Sequence, residues 1–284
     1  MNTPTNSITP QYPDLAGKAA VITGAASGIG FAIAEAMLRQ GVNVVLNDID
    51  DDTLAEAMAK LRKVGPGHVL PCLGDSSDPD FIRGFVAHCV EEFGSIDLVI
   101  ANAGITMFGH FLDFQPENFD RVMQVNLRGT FFLVQEAAKA MQAQGHGGRV
   151  VLMGSNVGEQ GYPQLTAYGM SKAALAMMSK VLIHELAPLG ITLNTLAPGA
   201  TLTERTRLEQ DDYAKVWGAL VPRGRVAMPV DIANVCLFLL SRASGHMVGE
   251  TVIVDGGWTA TSPLPAEAST EQTLRGEKIE KVGA

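Results

Sequence analysis

Basic residues are in short supply in this chain. Twenty-one Lys and Arg face 30 Asp and Glu, a net charge of −9. Nucleic-acid backbones are gripped by basic patches, so no nucleic-acid partner is expected. Cysteine is scarcer still: Cys72, Cys89 and Cys236 are far apart and odd in number. They make neither a disulfide framework nor a CxxC metal pair, the pattern of a reducing compartment. The histidines His68, His88, His110, His146, His184 and His246 lack metal-ligand spacing, and no metal is expected. No apolar run approaches the ~18–20 residues that span a bilayer. Residues 1–13 are polar, without the basic and apolar segments of a secretory leader. These absences point to a soluble cytoplasmic protein with no membrane partner.

What the chain has is apolar bulk. Apolar residues make up 46% and charged residues 18%, enough for a large core. Short β-branched runs at 20–23, 42–47, 68–72, 98–101, 150–153, 191–196 and 251–254 alternate with helical patterns at 29–40, 52–63, 79–93, 116–143, 168–189 and 229–240. Most of the strand runs are continuously apolar, as in a parallel sheet covered on both faces. The expected fold is therefore α/β: one doubly wound, Rossmann-type domain over 15–260, with a seven-stranded parallel sheet. Residues 1–14 read as a flexible lead and 261–284 as a polar tail. The stretch 201–225 fits neither strand nor regular connection, and is expected to be a mobile lid.

The chemistry gathers at strand ends. Thr23-Gly-Ala-Ala-Ser-Gly-Ile-Gly30 follows the first strand and opens the first helix. Glycines there let a backbone approach a pyrophosphate, which the helix N-terminus then faces with free N–H groups. Asp48 follows the second strand, 18 residues beyond Gly30, close to the spacing of a ribose-binding carboxylate. Its competing reading is turn chemistry, since Asp50, Asp51 and Asp52 follow and one of them is expected to cap the next helix. Tyr168 and Lys172 lie four apart, side by side on one helix face. Alone the pair is a weak signal, equally a surface lysine beside a half-buried tyrosine. Gly169, Ser171, Ala173, Ala174 and Ala176 keep the surrounding surface low, and Gly154-Ser155 sits just past the strand before it.

In order, these motifs resemble the short-chain dehydrogenase/reductase family over residues 15–258. The match comprises Thr23-Gly24 with Gly28-Ile29-Gly30, Asp75, Asn102-Ala103-Gly104, Asn126, Ser155 with Tyr168 thirteen residues on and Lys172, Pro198-Gly199 with Thr203, and Val254-Asp255-Gly256-Gly257. Two positions depart from it. Ala101 replaces a usual asparagine, and Gly154 stands where a second serine is common. The resemblance implies that Tyr168 is the general acid–base, Ser155 orients the substrate oxygen, and Lys172 favours phenolate and grips the nicotinamide ribose. It implies that Asn126 holds a water linking Lys172 to solvent. The implied cofactor contacts are Gly24, Ser27, Gly28, Ile29, Gly30, Asp48, Asp75, Asn102, Ala103, Gly104, Tyr168, Lys172, Pro198, Gly199, Thr201 and Thr203.

The expected activity is hydride transfer between NAD(H) and a secondary alcohol or ketone. NAD rather than NADP follows from Asp48, because a 2′-phosphate would meet its charge, and from Ile49 and Ser27, which offer no compensating cation. Two alternatives stay open: an NADPH-dependent 3-oxoacyl carrier-protein reductase, which residues 224–257 resemble, and a silent NAD-binding sensor or scaffold. The substrate is equally open. Met107, Phe108, Phe111, Val157, Tyr162, Leu202 and Trp217 suit an apolar ligand, whereas Asn156, Glu159, Gln160 and Glu204 suit a hydroxylated one. His110 lies where the family lines its pocket. Tyr213 and Trp217 either cap a substrate or pin the lid. A homotetramer is expected, from the small residues of 169–176, the long helix 116–143 and the family's habit of packing both against symmetry mates.

Overall fold

Strands apolar on both faces need helices on both sides, and this requirement organises residues 10–261, which the computed structural model describes. The strands are β1 (Ala19–Ile22), β2 (Asn43–Asp48), β3 (Val69–Leu73), β4 (Leu98–Ala101), β5 (Gly148–Met153), β6 (Ile191–Pro198) and β7 (Thr251–Val254). They pair in parallel as one sheet in the order β3-β2-β1-β4-β5-β6-β7. The helices are α1 (Gly28–Arg39), α2 (Asp51–Leu61), α3 (Pro79–Phe93), α4 (Pro116–Met123), α5 (Thr130–Gln144), α6 (Thr166–Val181), α7 (Ile183–Leu186), α8 (Glu204–Glu209), α9 (Tyr213–Gly218) and α10 (Pro229–Leu240). Neighbouring strand residues serve opposite layers. Val44 and Leu46 pack with Ile33 and Met37 of α1 and Leu237 of α10. Val45 belongs to the cluster on the other side, which also holds Phe85 of α3, Leu133 of α5 and Leu175 of α6. The strand order reverses between β1 and β4, so a crevice opens at the carboxyl ends of those two strands.

The helices differ from the sequence expectation in three places. The pattern over 116–143 is not one helix: Gln124–Gly129 forms a π-helical turn between α4 and α5. The apolar period on either side hides it, because a single wide turn shifts the pattern only slightly. Gly129 is pressed against the loop after β3, where a Cβ would stand 2.2 Å from the Ser76 carbonyl oxygen. The pattern over 168–189 starts at Thr166 and breaks after Val181 into the short α7 and a 3-10 turn, Ala187–Leu189, that contains Pro188. The stretch 201–225 is not irregular either. It holds α8 and α9, and Thr201 bridges to Ala227.

The expected lead is described from residue 10 onward. Pro13–Leu15 form a 3-10 turn, and the Asp14 carboxylate accepts from Arg242 N at 2.8 Å. Residues 1–9, and the expected tail from 262 onward, lie outside the described residues. No helix among the described residues is long and apolar enough to cross a membrane.

One buried carboxylate ties the amino-terminal edge of the sheet. Asp97, 6% exposed just before β4, accepts from Lys18 Nζ, Ala19 N and Ser95 Oγ, each at 2.9 Å. Burial pushes its carboxyl up, but the bonds from Ala19, Lys18 and Ser95 outweigh this and hold it below the ordinary range. A folded-state value below the unfolded one stabilises the fold above the unfolded pKa; that stabilisation is lost as pH falls through the folded value. Asp97→Asn should therefore lower unfolding stability at pH 7 by roughly 2 kcal/mol or more, since bonds to a charged group are worth ~1.5–3 kcal/mol. In denaturant titrations the gap from wild type should hold from pH 7 to about 5 and shrink below about 4. A gap independent of pH would exclude the carboxylate charge as its cause.

Candidate active site

A turn that lets a ligand approach the backbone must dispense with side chains. After β1 the chain takes positive φ at Gly24 (59°) and Gly28 (57°). At Gly24 a Cβ would stand 2.8 Å from Ala103 Cα, and at Gly30 one would stand 2.6 Å from both Asn102 Nδ2 and the Gly24 oxygen. Asn102, just past β4, holds this turn. Its backbone N–H and that of Ala103 donate to Thr23 Oγ1 at 3.1 Å, and its Nδ2 donates to Thr23 O at 3.0 Å and Gly24 O at 2.7 Å. Asp48 braces the other side. Its Oδ2 accepts from Ala26 N at 3.0 Å and its Oδ1 from Ile49 N at 2.8 Å. The cap of α2 is Asp50, which accepts from Thr53 N at 2.9 Å, so Asp48 is left to the crevice.

Asp75 faces the same space beyond β3. Burial pushes its carboxyl up, but hydrogen bonds from Ser77 (backbone N at 2.8 Å) and Arg121 (Nη1 at 3.2 Å) hold it below the ordinary range. From Asp48 and Asp75 the cleft, about 800 Å³, runs past Ser27, Ile29 and Gly104 to Ser155, Tyr168 and Lys172, with Pro198, Gly199, Thr201 and Thr203 on its far wall. All the sequence-predicted cofactor residues therefore line one cavity.

The proposed catalytic groups meet midway along it. Ser155 begins a 3-10 turn, its Oγ accepting from Val157 N at 3.2 Å. Tyr168 projects from the first turn of α6, and Lys172 lies one turn on, 4% exposed, its Nζ 5.7 Å from the Tyr168 ring centre. Lys172 Nζ donates to the Met153 carbonyl at 2.8 Å, and burial brings the amine down to about 8. Burial also pushes the Tyr168 phenol above its ordinary range, against opposing hydrogen bonding with Ser155, the charge of Arg205 and hydrogen bonding with Thr106. Sequence reasoning has Lys172 and a bound oxidised nicotinamide favouring phenolate; of the contributions from the protein itself, desolvation of the phenol is the largest and works against ionisation.

Asn126 is fully buried in the π-helical turn and does not line the cleft. Its Oδ1 accepts from Ile105 N at 2.8 Å, and its Nδ2 donates to Ile105 O and Ser171 Oγ at 3.0 Å; Ser171 Oγ in turn donates to Tyr168 O at 2.7 Å. Its amide thus pins the loop after β4 to the start of α6 rather than facing the cleft. The wide turn presents it, a signal that helical periodicity does not carry.

At the substrate end the apolar and polar expectations divide. Phe108, Asn156, Val157, Tyr162, Glu204 and Trp217 line the cleft. Met107, His110, Phe111 and Leu202 do not, and Phe111 is 75% exposed on the surface. Glu159 and Gln160 line a separate depression beside 253–261. Sequence reasoning missed Thr106, Arg121 and Trp258 as lining residues. Only the fold brings Trp258, which follows the last strand, beside Tyr162 and Trp217. The segment 201–225 also reaches the glycine turn, where Glu204 Oε2 accepts from Gly28 N at 3.1 Å.

Comparisons with known proteins give the family of the chain. Residues 24–259 match the family model described as enoyl-(acyl carrier protein) reductase. Versicolorin reductase of Emericella nidulans is 37% identical, the alignment covering 86% of this chain and 96% of that protein. L-rhamnose 1-dehydrogenase (NAD(P)(+)) of a Sphingomonas species is 35% identical over 86% and 96%. The crystal structure of a short-chain type dehydrogenase/reductase from Mycobacterium marinum superposes with a TM-score of 0.83 at 35% identity, over 88% and 98% of the two chains. The chain belongs to the short-chain dehydrogenase/reductase family. It is thus a member of an oxidoreductase family that works with a nicotinamide cofactor. The residues present fit such a group: side chains are missing where a pyrophosphate would press on the turn, and a carboxylate stands at the end of β2.

Proposed function

We propose that this dehydrogenase/reductase transfers hydride between NAD(H) and a secondary alcohol or its ketone, with Tyr168 as the general acid–base. The observation that carries the proposal is the meeting of Ser155, Tyr168 and Lys172 in the cavity that also contains the glycine turn. The nicotinamide, when bound, supplies or accepts the hydride. Ser155 hydrogen-bonds the substrate oxygen and holds it against the phenol. Tyr168, whose phenol burial pushes up, gives its proton to that oxygen in reduction and takes one in oxidation. Lys172, its amine near neutral range, binds the ribose beside it and stabilises phenolate when that forms. Glycine at 104 leaves room for this, since a Cβ there would stand 3.1 Å from Lys172 Nζ. Gly24, Ser27, Gly28, Ile29 and Gly30 face the pyrophosphate, and Asp48 the adenosine ribose.

Tyr168→Phe removes one hydroxyl and keeps the ring. Turnover should fall by ~10²–10⁴-fold while NADH binding, followed by its fluorescence, changes by less than about twofold. A variant retaining half of wild-type kcat would refute the assignment.

NAD preference follows from Asp48 and from the absence of a cation at Ile49, 58% exposed beside it. Repulsion of a 2′-phosphate and loss of a charge-assisted bond should give NAD about a 30-fold or greater advantage in kcat/KM. Asp48→Ser with Ile49→Arg should reverse the ratio. Because Asp48 also braces Ala26, both absolute rates should fall, so the ratio is the reading to take. Equal kcat/KM for NAD and NADP in the wild-type protein would sink the preference.

We further infer association of copies through α5 and α6. An apolar groove of about 580 Å³ lies between them, bordered by Met123, Leu127, Phe131, Met177 and Val181, and Phe131, Met177 and Val181 are 44%, 57% and 59% exposed. Apolar patches of this kind mark interaction surfaces. Light scattering should give a mass of four chains; the mass of one at micromolar concentration would overturn the inference.

A further inference from the structure

The chain has four tyrosines and two tryptophans, and all but Tyr12 line this one cleft. Apart from Tyr168 they form a single cluster. Trp217 is its centre, with ring centres 5.8 Å from Tyr162, 5.6 Å from Tyr213 and 5.6 Å from Trp258, and Tyr162 is also 6.3 Å from Trp258. Three separate segments supply these rings: the loop before α6, helix α9, and the turn after β7. The core, by contrast, is filled almost wholly by aliphatic side chains, with Phe85 the only aromatic among the largest fully buried ones of the described residues. The broad flat side chains line the cleft instead.

We propose that the substrate of this enzyme carries a planar aromatic or conjugated ring, held against the wall of Tyr162, Trp217 and Trp258 while its oxygen reaches Ser155 and Tyr168. The inference rests on the oxidoreductase reading above and adds the substrate class to it. Aromatic rings attract one another in offset and edge-to-face arrangements beyond what burial alone gives, and the wall offers both orientations: Tyr162 is nearly parallel to Trp217 (28°) and steeply inclined to Trp258 (67°). A sugar needs something different, a dense set of free donors and acceptors. Several polar groups next to the wall are already engaged with one another. Gln210 accepts from Trp217 Nε1 at 3.1 Å and donates to Asp212 at 3.0 Å, and Arg205 pairs with Glu209 at 3.7 Å. Nor does the wall carry charge. Burial, with the nearby Glu209 charge, pushes the Tyr213 phenol up to about 12, and burial raises Tyr162 as well, so both rings stay neutral.

The test compares three alcohols with NAD on the full-length protein: 1-tetralol, in which the carbinol is fused to an aromatic ring; cyclohexanol, which has the same carbinol without that ring; and a free deoxyhexose. One or two ring contacts should raise kcat/KM for tetralol about tenfold or more over cyclohexanol, with the deoxyhexose below both. Trp258→Leu and Tyr162→Leu should each shrink the tetralol-to-cyclohexanol ratio several-fold; circular dichroism verifies that the variants are folded. A ratio near one in the wild-type protein, or a deoxyhexose preferred over tetralol, overturns the ring assignment and leaves the oxidoreductase reading standing. If no alcohol is oxidised, calorimetric titration with 1-tetralone and cyclohexanone decides separately. Selective binding of tetralone keeps the ring assignment while the absence of turnover counts against the oxidoreductase reading, and equal or absent binding refutes the ring assignment.

Discussion

The cleft depends on how closely the turn after β1 passes the end of β4. At Gly30 there is no space for a methyl group, because Asn102 Nδ2 and the Gly24 carbonyl already stand 2.6 Å from where it would be. That closeness lets the Asn102 amide tie two carbonyls of the turn and lets Thr23 Oγ1 take the N–H groups of Asn102 and Ala103. The two strands on either side of the topological reversal are thereby locked together at their carboxyl ends. Asp48 and the loop leading from Gly104 to Asn126 take their positions from this lock, and α6 takes its position from Asn126 through Ser171. A side chain at Gly30 would disturb both ends of the cavity through one contact.

Burial, rather than charge pairing, is the largest influence on the acidity of the reacting groups. Lys172 and Tyr168 are pushed in opposite senses, the amine down to about 8 and the phenol up, and both movements favour the neutral form. This follows from placing the pair on a helix whose neighbours are Gly169, Ser171 and Ala173: small side chains let α6 sink against β5 and β6, where Met153 O can take the Lys172 proton donor. A neutral phenol in a low-dielectric pocket is a proton donor first. Hydrogen bonding with Ser155 and Thr106 and the charge of Arg205 pull toward ionisation, so the balance between acid and base duties is set by named groups.

Much of this was legible in the sequence because the chemistry needs residues at fixed spacings. The glycine turn, Asp48, Asn102, Ser155, Tyr168 and Lys172 sit at strand ends or in a helix's first two turns, where position along the chain translates directly into position in space. The seven strands were readable because a doubly covered sheet leaves continuous apolar runs. What escaped depends on packing. The π-helical turn that presents Asn126 adds one residue to a turn without altering composition. Helices α8 and α9 are six residues each, too short for a periodic signature, and Thr203 starts α8 by accepting from Thr206 N. Phe111 and Trp258 exchanged expectations. The first belongs to a stretch that looks like pocket lining yet lies on the surface; the second stands in the turn after β7 and reaches the cleft. Sequence distance gave no hint of either.

Trp217 and Trp258 are the only tryptophans in the chain, and their rings lie 5.6 Å apart across the join between α9 and the turn after β7. All indole emission therefore originates at one wall of one cavity, with no background from the core. Excitation transfer between the two falls within contact range, and both stand in a cleft whose other end is built for a reduced dinucleotide that absorbs where indole emits. The unlabelled protein is thus its own optical gauge: the intensity and polarity of a single emission band follow the packing of α9 against the body of the domain, in real time and at the concentrations used for kinetics.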